Sequence, residues 1–246
     1  MKNIASVMMV TYNRLHLTKK TITSLEKQTQ SPFRLLIVDN ASTDGTIEYL
    51  KNLNLNNTHC IGHQLLLNDK NLGIAVGRNQ CLKMAGRHKD EWLSTIDNDI
   101  EVVPNWLDKC IRVIKDNPTF MMGLNMEGFP YPLVNQNGHD IQYKKEGNLG
   151  TACTVFNKKL HDTIGFFNTE FFHGEDDSDF GYRARVAGFD LAYIQEMGTH
   201  LGVGTEDVGS YRDFKNKSHS DNLTKFRQNC RDYANKSKPV YISYKQ

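Results

Sequence analysis

Apolar residues in the first hundred positions arrive in short blocks. Ile4 to Val10, Phe33-Arg34-Leu35-Leu36-Ile37-Val38 and Trp92-Leu93-Ser94-Thr95-Ile96 are mostly apolar, with little strict alternation. Runs this short predict strands buried on both faces, the pattern of a parallel sheet. His63 to Asn68 is a weaker strand candidate. Between these blocks, Leu17 to Gln28 sets Leu17, Ile22 and Leu25 in a polar background, as a surface helix would. Thr46 to Leu53 and Gly73 to Ala85 also read as helices. The resulting rhythm predicts a parallel sheet wound with helices.

The second half is less regular. Pro104 to Lys115 predicts a helix, since proline suits a first turn. Glycines and aromatics dominate from Gly123 to Gly150, predicting loops and short antiparallel strands. Thr151 to Phe156 reads as a strand, and Ser178 to Ala187 as a helix closed by Gly188. No internal repeat or low-complexity linker interrupts the chain. We therefore expect a nucleotide-binding half over 1–103, a second half over 104–205, and a basic, helical C-terminal extension over 206–246.

Composition adds exclusions. With 246 residues, 39% of them hydrophobic and 24% charged, the chain can bury one large α/β core. A net charge of +2 does not argue for a nucleic-acid or membrane partner. No apolar run approaches the ~18 residues of a membrane span. The opening ten residues resemble a signal peptide, but Thr11-Tyr12-Asn13-Arg14 follows without a small-residue cleavage site, which favours a first strand. Cys60, Cys81, Cys110, Cys153 and Cys230 are far apart, without CxxC pairing, as expected of reduced thiols in a cytoplasm. The Asn56-Asn57-Thr58 sequon would then be incidental.

Ligands of open α/β sheets bind beyond the carboxyl ends of the strands. Three polar clusters follow predicted strands: Thr11-Tyr12-Asn13-Arg14, Asp39-Asn40 and Asp97-Asn98-Asp99. Asp39-Asn40 alone could be a turn or a cap. Two carboxylates at Asp97 and Asp99 could enter one cleft and, as hard oxygen donors, suit Mg²⁺ or Mn²⁺. A bare Asp-x-Asp is common in loops. Placed after an apolar strand and before Ile100-Glu101-Val102-Val103-Pro104, it becomes far more specific.

Taken in order, these segments resemble family 2 glycosyltransferases of the GT-A fold from about residue 4 to about 205. The likeness rests on Val10 to Arg14, Val38 to Thr46, Asn71-Leu72-Gly73 with Arg78-Asn79, and Ile96 to Asp99. Gly165 to Asn168, the acidic stretch Gly174 to Arg183, and His200 complete it. It implies a mixed, mainly parallel sheet flanked by helices, with a smaller irregular acceptor side. It also implies an inverting, metal-dependent transfer of a hexose or pentose from a nucleotide-sugar, UDP-linked by family habit. Thr11, Tyr12 and Arg14 would line the nucleotide pocket, with Asp39 and its neighbour Asn40 at the base. Gly73 and Arg78 would approach the nucleotide and diphosphate. Asp97, with Asn98 beside it, would meet the ribose or the metal, Asp99 would bind the metal, and His200 would be a further metal ligand.

Glu175-Asp176-Asp177-Ser178-Asp179 is the expected source of the catalytic base, although plain N-capping of a helix would explain it too. Relatives place Glu-Asp, one residue, an acid, a hydrophobe and then an arginine three places on. Counting back from Arg183 selects Asp177, whereas counting forward from Gly174 selects Asp176. We favour Asp177.

Trp92 and Trp106 read as core, while Phe129, Tyr131 and Tyr143 fall where an acceptor could dock. A nucleotidyltransferase would instead want a Gly-rich, basic segment after the first strand. A non-catalytic nucleotide-sugar module would be expected to have lost Asp99, Asp177 or His200. The acceptor is open among glycan, lipid-linked sugar, protein and nucleic acid. The basic tail (Lys215, Lys217, Lys225, Arg227, Arg231, Lys236, Lys238) suits either a solvated helix or an anionic surface. The expected location is the cytoplasm, with peripheral membrane association open.

Overall fold

The structure, a computed structural model, describes residues 4–55, 59–125, 131–144, 149–195, 198–202 and 210–244. The first half alternates as expected: β1 (Ala5–Thr11), α1 (Leu15–Gln28), β2 (Phe33–Asp39), α2 (Thr46–Lys51), β3 (Cys60–Leu67), α3 (Ile74–Ala85) and β4 (Trp92–Asp97). There follow β5 (Ile100–Val102), α4 (Trp106–Asp116), β6 (Phe120–Asn125), β7 (Leu133–Gln136), β8 (His139–Lys144), β9 (Cys153–Asn157) and α5 (Lys158–Ile164). The chain then forms α6 (Asp176–Val186), β10 (Asp190–Gln195), β11 (Gly198–His200) and α7 (Ser210–Ala234).

Nine strands make one sheet in the order β3-β2-β1-β4-β9-β6-β10-β8-β7. β3, β2, β1 and β4 are mutually parallel, β9 opposes β4 and β6, and β10 runs parallel to β6. This is the expected mixed, mainly parallel sheet. Alternate residues of β1 explain the unbroken apolar runs. Val7 and Met9 enter one core with Ile22, Leu25, Ile111 and Ile114 of α1 and α4. Met8 and Val10 enter another with Leu82, Leu160, Phe180 and Ala184 of α3, α5 and α6. Both faces are covered, so both side-chain sets must be apolar.

Two readings change. β6 is a fully buried central strand, parallel to β10, although part of it lies in the stretch expected to form loops and short antiparallel strands. The C-terminal helix is more than a solvated tail, because α7 packs on α6 and buries Asn222, Asn229 and Tyr233. Tyr233 and Asn229 donate to Asp179 Oδ1 at 2.9 and 3.5 Å, while Arg183 Nε donates to its Oδ2 at 2.7 Å. Arg183 also donates to the carbonyls of Ile164, Phe166 and Val240. Ile242 bridges to Gly165, tying the C-terminal segment to the turn before α6. The 205/206 boundary, the Lys215 side chain and Lys245 lie outside the described residues. Trp92 and Trp106 are core, as expected.

Candidate active site

Strand register assembles the site. Thr11 pairs with Asp39 and Val10 with Asp97, so the polar clusters that end β1, β2 and β4 stand level at one sheet edge. They meet the N-termini of α3 and α6 around a cavity of about 300 Å³. Val10, Thr11, Tyr12, Arg14, Asn40, Asn71, Gly73, Ile74, Arg78 and Asp97-Asn98-Asp99 line one part. Ala152, Phe172, His173, Gly174, Asp176, Asp177 and His200 complete the wall.

Gly73 is where the conformation needs glycine. Its φ is +86°, and an added Cβ would lie 2.6 Å from the Phe172 carbonyl oxygen, which accepts from the Ile74 N–H. The close approach sets the start of α3 against the segment leading to α6. Asn40 Nδ2 donates to the Gly73 carbonyl (3.2 Å) and so links the end of β2 to the same point.

Asp99 and His200 come together through a short ladder. β11 pairs antiparallel with β5, His200 opposite Ile100, and the Leu201 N–H donates to the Asp99 carbonyl at 2.7 Å. His200 Nε2 is then 3.3 Å from Asp99 Oδ1, and Arg14 Nη1 donates to Oδ2 at 2.9 Å. A Cβ on Gly202 would collide with Asp99 Oδ2, so glycine leaves that oxygen room. A carboxylate beside an imidazole is a donor set that fits a first-row divalent ion. Among the described residues no group of three or more His, Cys, Asp or Glu forms a metal cage. Mg²⁺ and Mn²⁺ also accept oxygens from a phosphate ligand. Asn98 Nδ2 bonds Thr18 Oγ1 (2.9 Å) and the Asn13 carbonyl (3.3 Å), pinning this turn to α1.

The remaining expected contacts are placed as follows. Asp39, read as a base contact, is fully buried and does not line the cavity. Its oxygens accept from Thr11 Oγ1 (2.7 Å), Ser42 Oγ (2.6 Å) and Ser42 N (2.8 Å). Arg78 reaches the cavity but spends its guanidinium on Asp97 Oδ1 (2.9 Å) and Asp176 Oδ2 (2.5 Å). Tyr131 stacks on Tyr193 and Tyr143 donates to Asp190, so neither joins the cavity wall, and Phe129 lies outside the described residues. Phe172 and Tyr12, 46% and 43% exposed, are aromatics of the cavity wall.

The acidic residues divide by environment. Asp179 belongs to the buried α6–α7 contact. Asp176 is buried against Arg78, and burial, with Asp177 and Asp97 adding to it, pushes its carboxyl up to about 7 despite the guanidinium. Burial likewise raises Asp97, against the pull of Arg78. Asp177 is half-buried on the cavity wall, in no ion pair among the described residues. The turn before it is held from outside: Ser218 Oγ and Asn222 Nδ2 donate to the His173 carbonyl, and His219 meets Glu175 at 2.8 Å.

Comparison with known proteins gives concordant matches. The model of glycosyl transferase family 2 matches residues 6–169. The Escherichia coli UDP-Glc:α-D-GlcNAc-diphosphoundecaprenol β-1,3-glucosyltransferase WfgD is 29% identical, over 70% of this chain and 66% of its own length. A Mycobacterium tuberculosis N-acetylglucosaminyl-diphospho-decaprenol L-rhamnosyltransferase is 22% identical, over 79% of this chain and 74% of its own. This chain thus spans just under two thirds of the length of the first relative. Among solved structures, the Pyrobaculum calidifontis mannosyltransferase PcManGT, in complex with GDP-Man and Mn²⁺, superposes with a TM-score of 0.65. It is 17% identical, over 85% of this chain and 59% of that one. That likeness establishes the fold, the mixed sheet of GT-A transferases.

Proposed function

This chain belongs to glycosyl transferase family 2, and we propose that it transfers a sugar from a nucleotide-sugar, UDP-linked, to a hydroxyl of a diphospholipid-linked sugar, inverting the anomeric centre. One observation carries the chemistry: a single cavity has Asp99 and His200 in its wall together with Asp177, which is in no ion pair among the described residues. Donor and acceptor would therefore meet with a metal-binding and a proton-accepting group in place. The choice of acceptor follows the names of the two relatives, both of which describe GlcNAc-diphospholipid substrates. A lipid-linked acceptor implies peripheral association with a membrane; among the described residues no helix is long and apolar enough to cross one.

In this reading, Thr11, Tyr12 and Asn40 border the nucleotide, and the N-terminus of α3 faces the diphosphate with its dipole. Asp99 and His200, with Asp97 beside them, would hold a divalent ion, Mn²⁺ suiting the imidazole better than Mg²⁺. When bound, that ion supplies neutralising charge for the diphosphate. Asp177 takes the proton of the acceptor hydroxyl as its oxygen bonds the anomeric carbon. The bond from that carbon to the diphosphate oxygen breaks on the opposite face, and the electron pair leaves with the diphosphate. Asp176 is the weaker base candidate because Arg78 already occupies its carboxylate. Residues 1–103 would form the donor half and 104–205 the acceptor half.

The deciding experiment is a thermal-shift screen of nucleoside diphosphates and nucleotide-sugars with and without Mn²⁺, followed by transfer to a short-chain lipid-diphosphate GlcNAc. Stabilisation by UDP that needs metal supports the reading. No stabilisation by any nucleotide sinks it, and stabilisation by GDP alone replaces the donor.

A further inference from the structure

Arg78 sits in α3 with its side chain 7% exposed, and its guanidinium divides between two parts of the site. Nη2 donates to Asp97 Oδ1 (2.9 Å) at the end of β4, and Nη1 to Asp176 Oδ2 (2.5 Å) at the start of α6. The Thr151 carbonyl takes a longer contact (3.5 Å), and the Phe167 ring centre lies 5.4 Å from the guanidinium carbon. A planar fork of donors can hold two carboxylates at fixed angles, which a lysine ammonium cannot.

We propose that Arg78 is a positioning residue that joins Asp97 on the donor side to Asp176 on the acceptor side, fixing the first turn of α6 so that Asp177 faces the acceptor hydroxyl. This rests on the base assignment made above. The turn has little hold of its own. It enters α6 through Gly174 (φ +78°) and Glu175 (φ +66°), and no side chain caps the helix. Its anchors are the α7 bonds to the 173–175 backbone and side chain on one flank and Arg78 on the other. Without the guanidinium, the buried Asp176 carboxylate and the part-exposed Asp97 carboxylate would face each other with no cation between them. Breaking a buried pair from one side leaves a charge that must be neutralised or moved. Either response shifts Asp176, and Asp177 is its chain neighbour. A guanidinium committed this way is also a poor diphosphate clamp, the role that resemblance to relatives would give it.

The test is a double-mutant cycle in the full chain: Arg78→Gln, Asp176→Asn, both together, and Arg78→Lys as the conservative variant. Binding of UDP with Mn²⁺ is followed by thermal shift. The kcat and the donor KM are measured with UDP-glucose and a short-chain lipid-diphosphate GlcNAc. Displacement of a catalytic group by about 1 Å costs on the order of 10²-fold, so Arg78→Gln and Asp176→Asn should each lower kcat by about that factor. UDP affinity and donor KM should stay within about 3-fold, the double variant should be no worse than the poorer single one, and Arg78→Lys should recover part of kcat. If Arg78→Gln weakens UDP binding tenfold or more while Asp176→Asn is normal, Arg78 serves the diphosphate and the inference fails. Multiplying losses in the double variant, or a fully active Asp176→Asn, overturn it as well. Should Arg78→Gln not fold, Asp176→Asn and Arg78→Lys decide by the same readouts. An unsubstituted chain that neither binds a nucleotide nor transfers overturns the function proposed above, a different failure from these.

Discussion

Removing one hydroxyl tests whether α7 braces the acidic helix or merely follows it. Tyr233 is 1% exposed, and its hydroxyl donates to Asp179 Oδ1 at 2.9 Å. Burial and the nearby Asp179 charge raise the phenol above its ordinary value, so it remains a donor throughout the workable pH range. In Tyr233→Phe the ring still fills its place, but Oδ1 keeps only the 3.5 Å contact from Asn229. A hydrogen bond to a charged group contributes about 1.5–3 kcal/mol net. For a chain of this size, each kcal/mol moves the midpoint by roughly 2–4 °C, so the melting temperature should drop by about 3–12 °C. Asp179→Ala should cost more, about 3–5 kcal/mol, because it strands Arg183 in the core. Thermal unfolding followed by circular dichroism measures both. A Tyr233→Phe midpoint within 1 °C of the unsubstituted chain would refute the bracing role.

Further outcomes follow from the cavity wall. Asp177→Asn should lower kcat by about 10²–10⁴-fold, the range of general-base catalysis, with UDP binding intact; full activity would remove Asp177 from the mechanism. Asp99→Ala should abolish the metal-dependent part of the UDP thermal shift, and His200→Ala should weaken it; an undiminished shift in both would place the ion elsewhere. For Asp176, burial lifts the folded-state pKa from 3.8 to about 7. Between those values the folded chain holds a proton that the unfolded chain has released. This contribution to stability is therefore complete below about pH 4 and is lost as pH rises through about 7. The melting temperature of the unsubstituted chain should accordingly fall more between pH 5 and 8 than that of Asp176→Asn, and parallel pH profiles would contradict the assignment.

The first half of the chain was legible because its strands are continuous and buried on both faces, and its polar clusters directly follow them. Parallel register then places Thr11, Asp39 and Asp97 at one level without further information. The remainder depended on pairings with no local signature. β6 carries Gly123 against Leu149, a close contact that reads in sequence as loop composition. β5 and β11 are each three residues long, too short for any periodicity, yet they bring His200 to Asp99. Asp39 and Arg78 show the same boundary at the level of side chains. Position marks both as site residues, but which partner a charged group chooses depends on donors and acceptors 3 to 98 residues away.

Backbone strain also gathers at the cavity. Non-glycine residues in the left-handed region cost roughly 1–2 kcal/mol each, less for asparagine. Asn13, Arg14, Ala41 and Glu175 all adopt it where strands or loops turn at this edge of the sheet. Arg14 opens α1 in that conformation and reaches Asp99; Glu175 opens α6 in it and reaches His219. An unstrained entry to either helix would point these side chains elsewhere and turn the first helical residues with them. Glu175 is bound by α7, and Asp176 by Arg78 from α3, so the start of α6 is fixed from two sides before any ligand arrives. That rigidity is what the proposed base, Asp177, would need for its carboxylate to meet an acceptor hydroxyl.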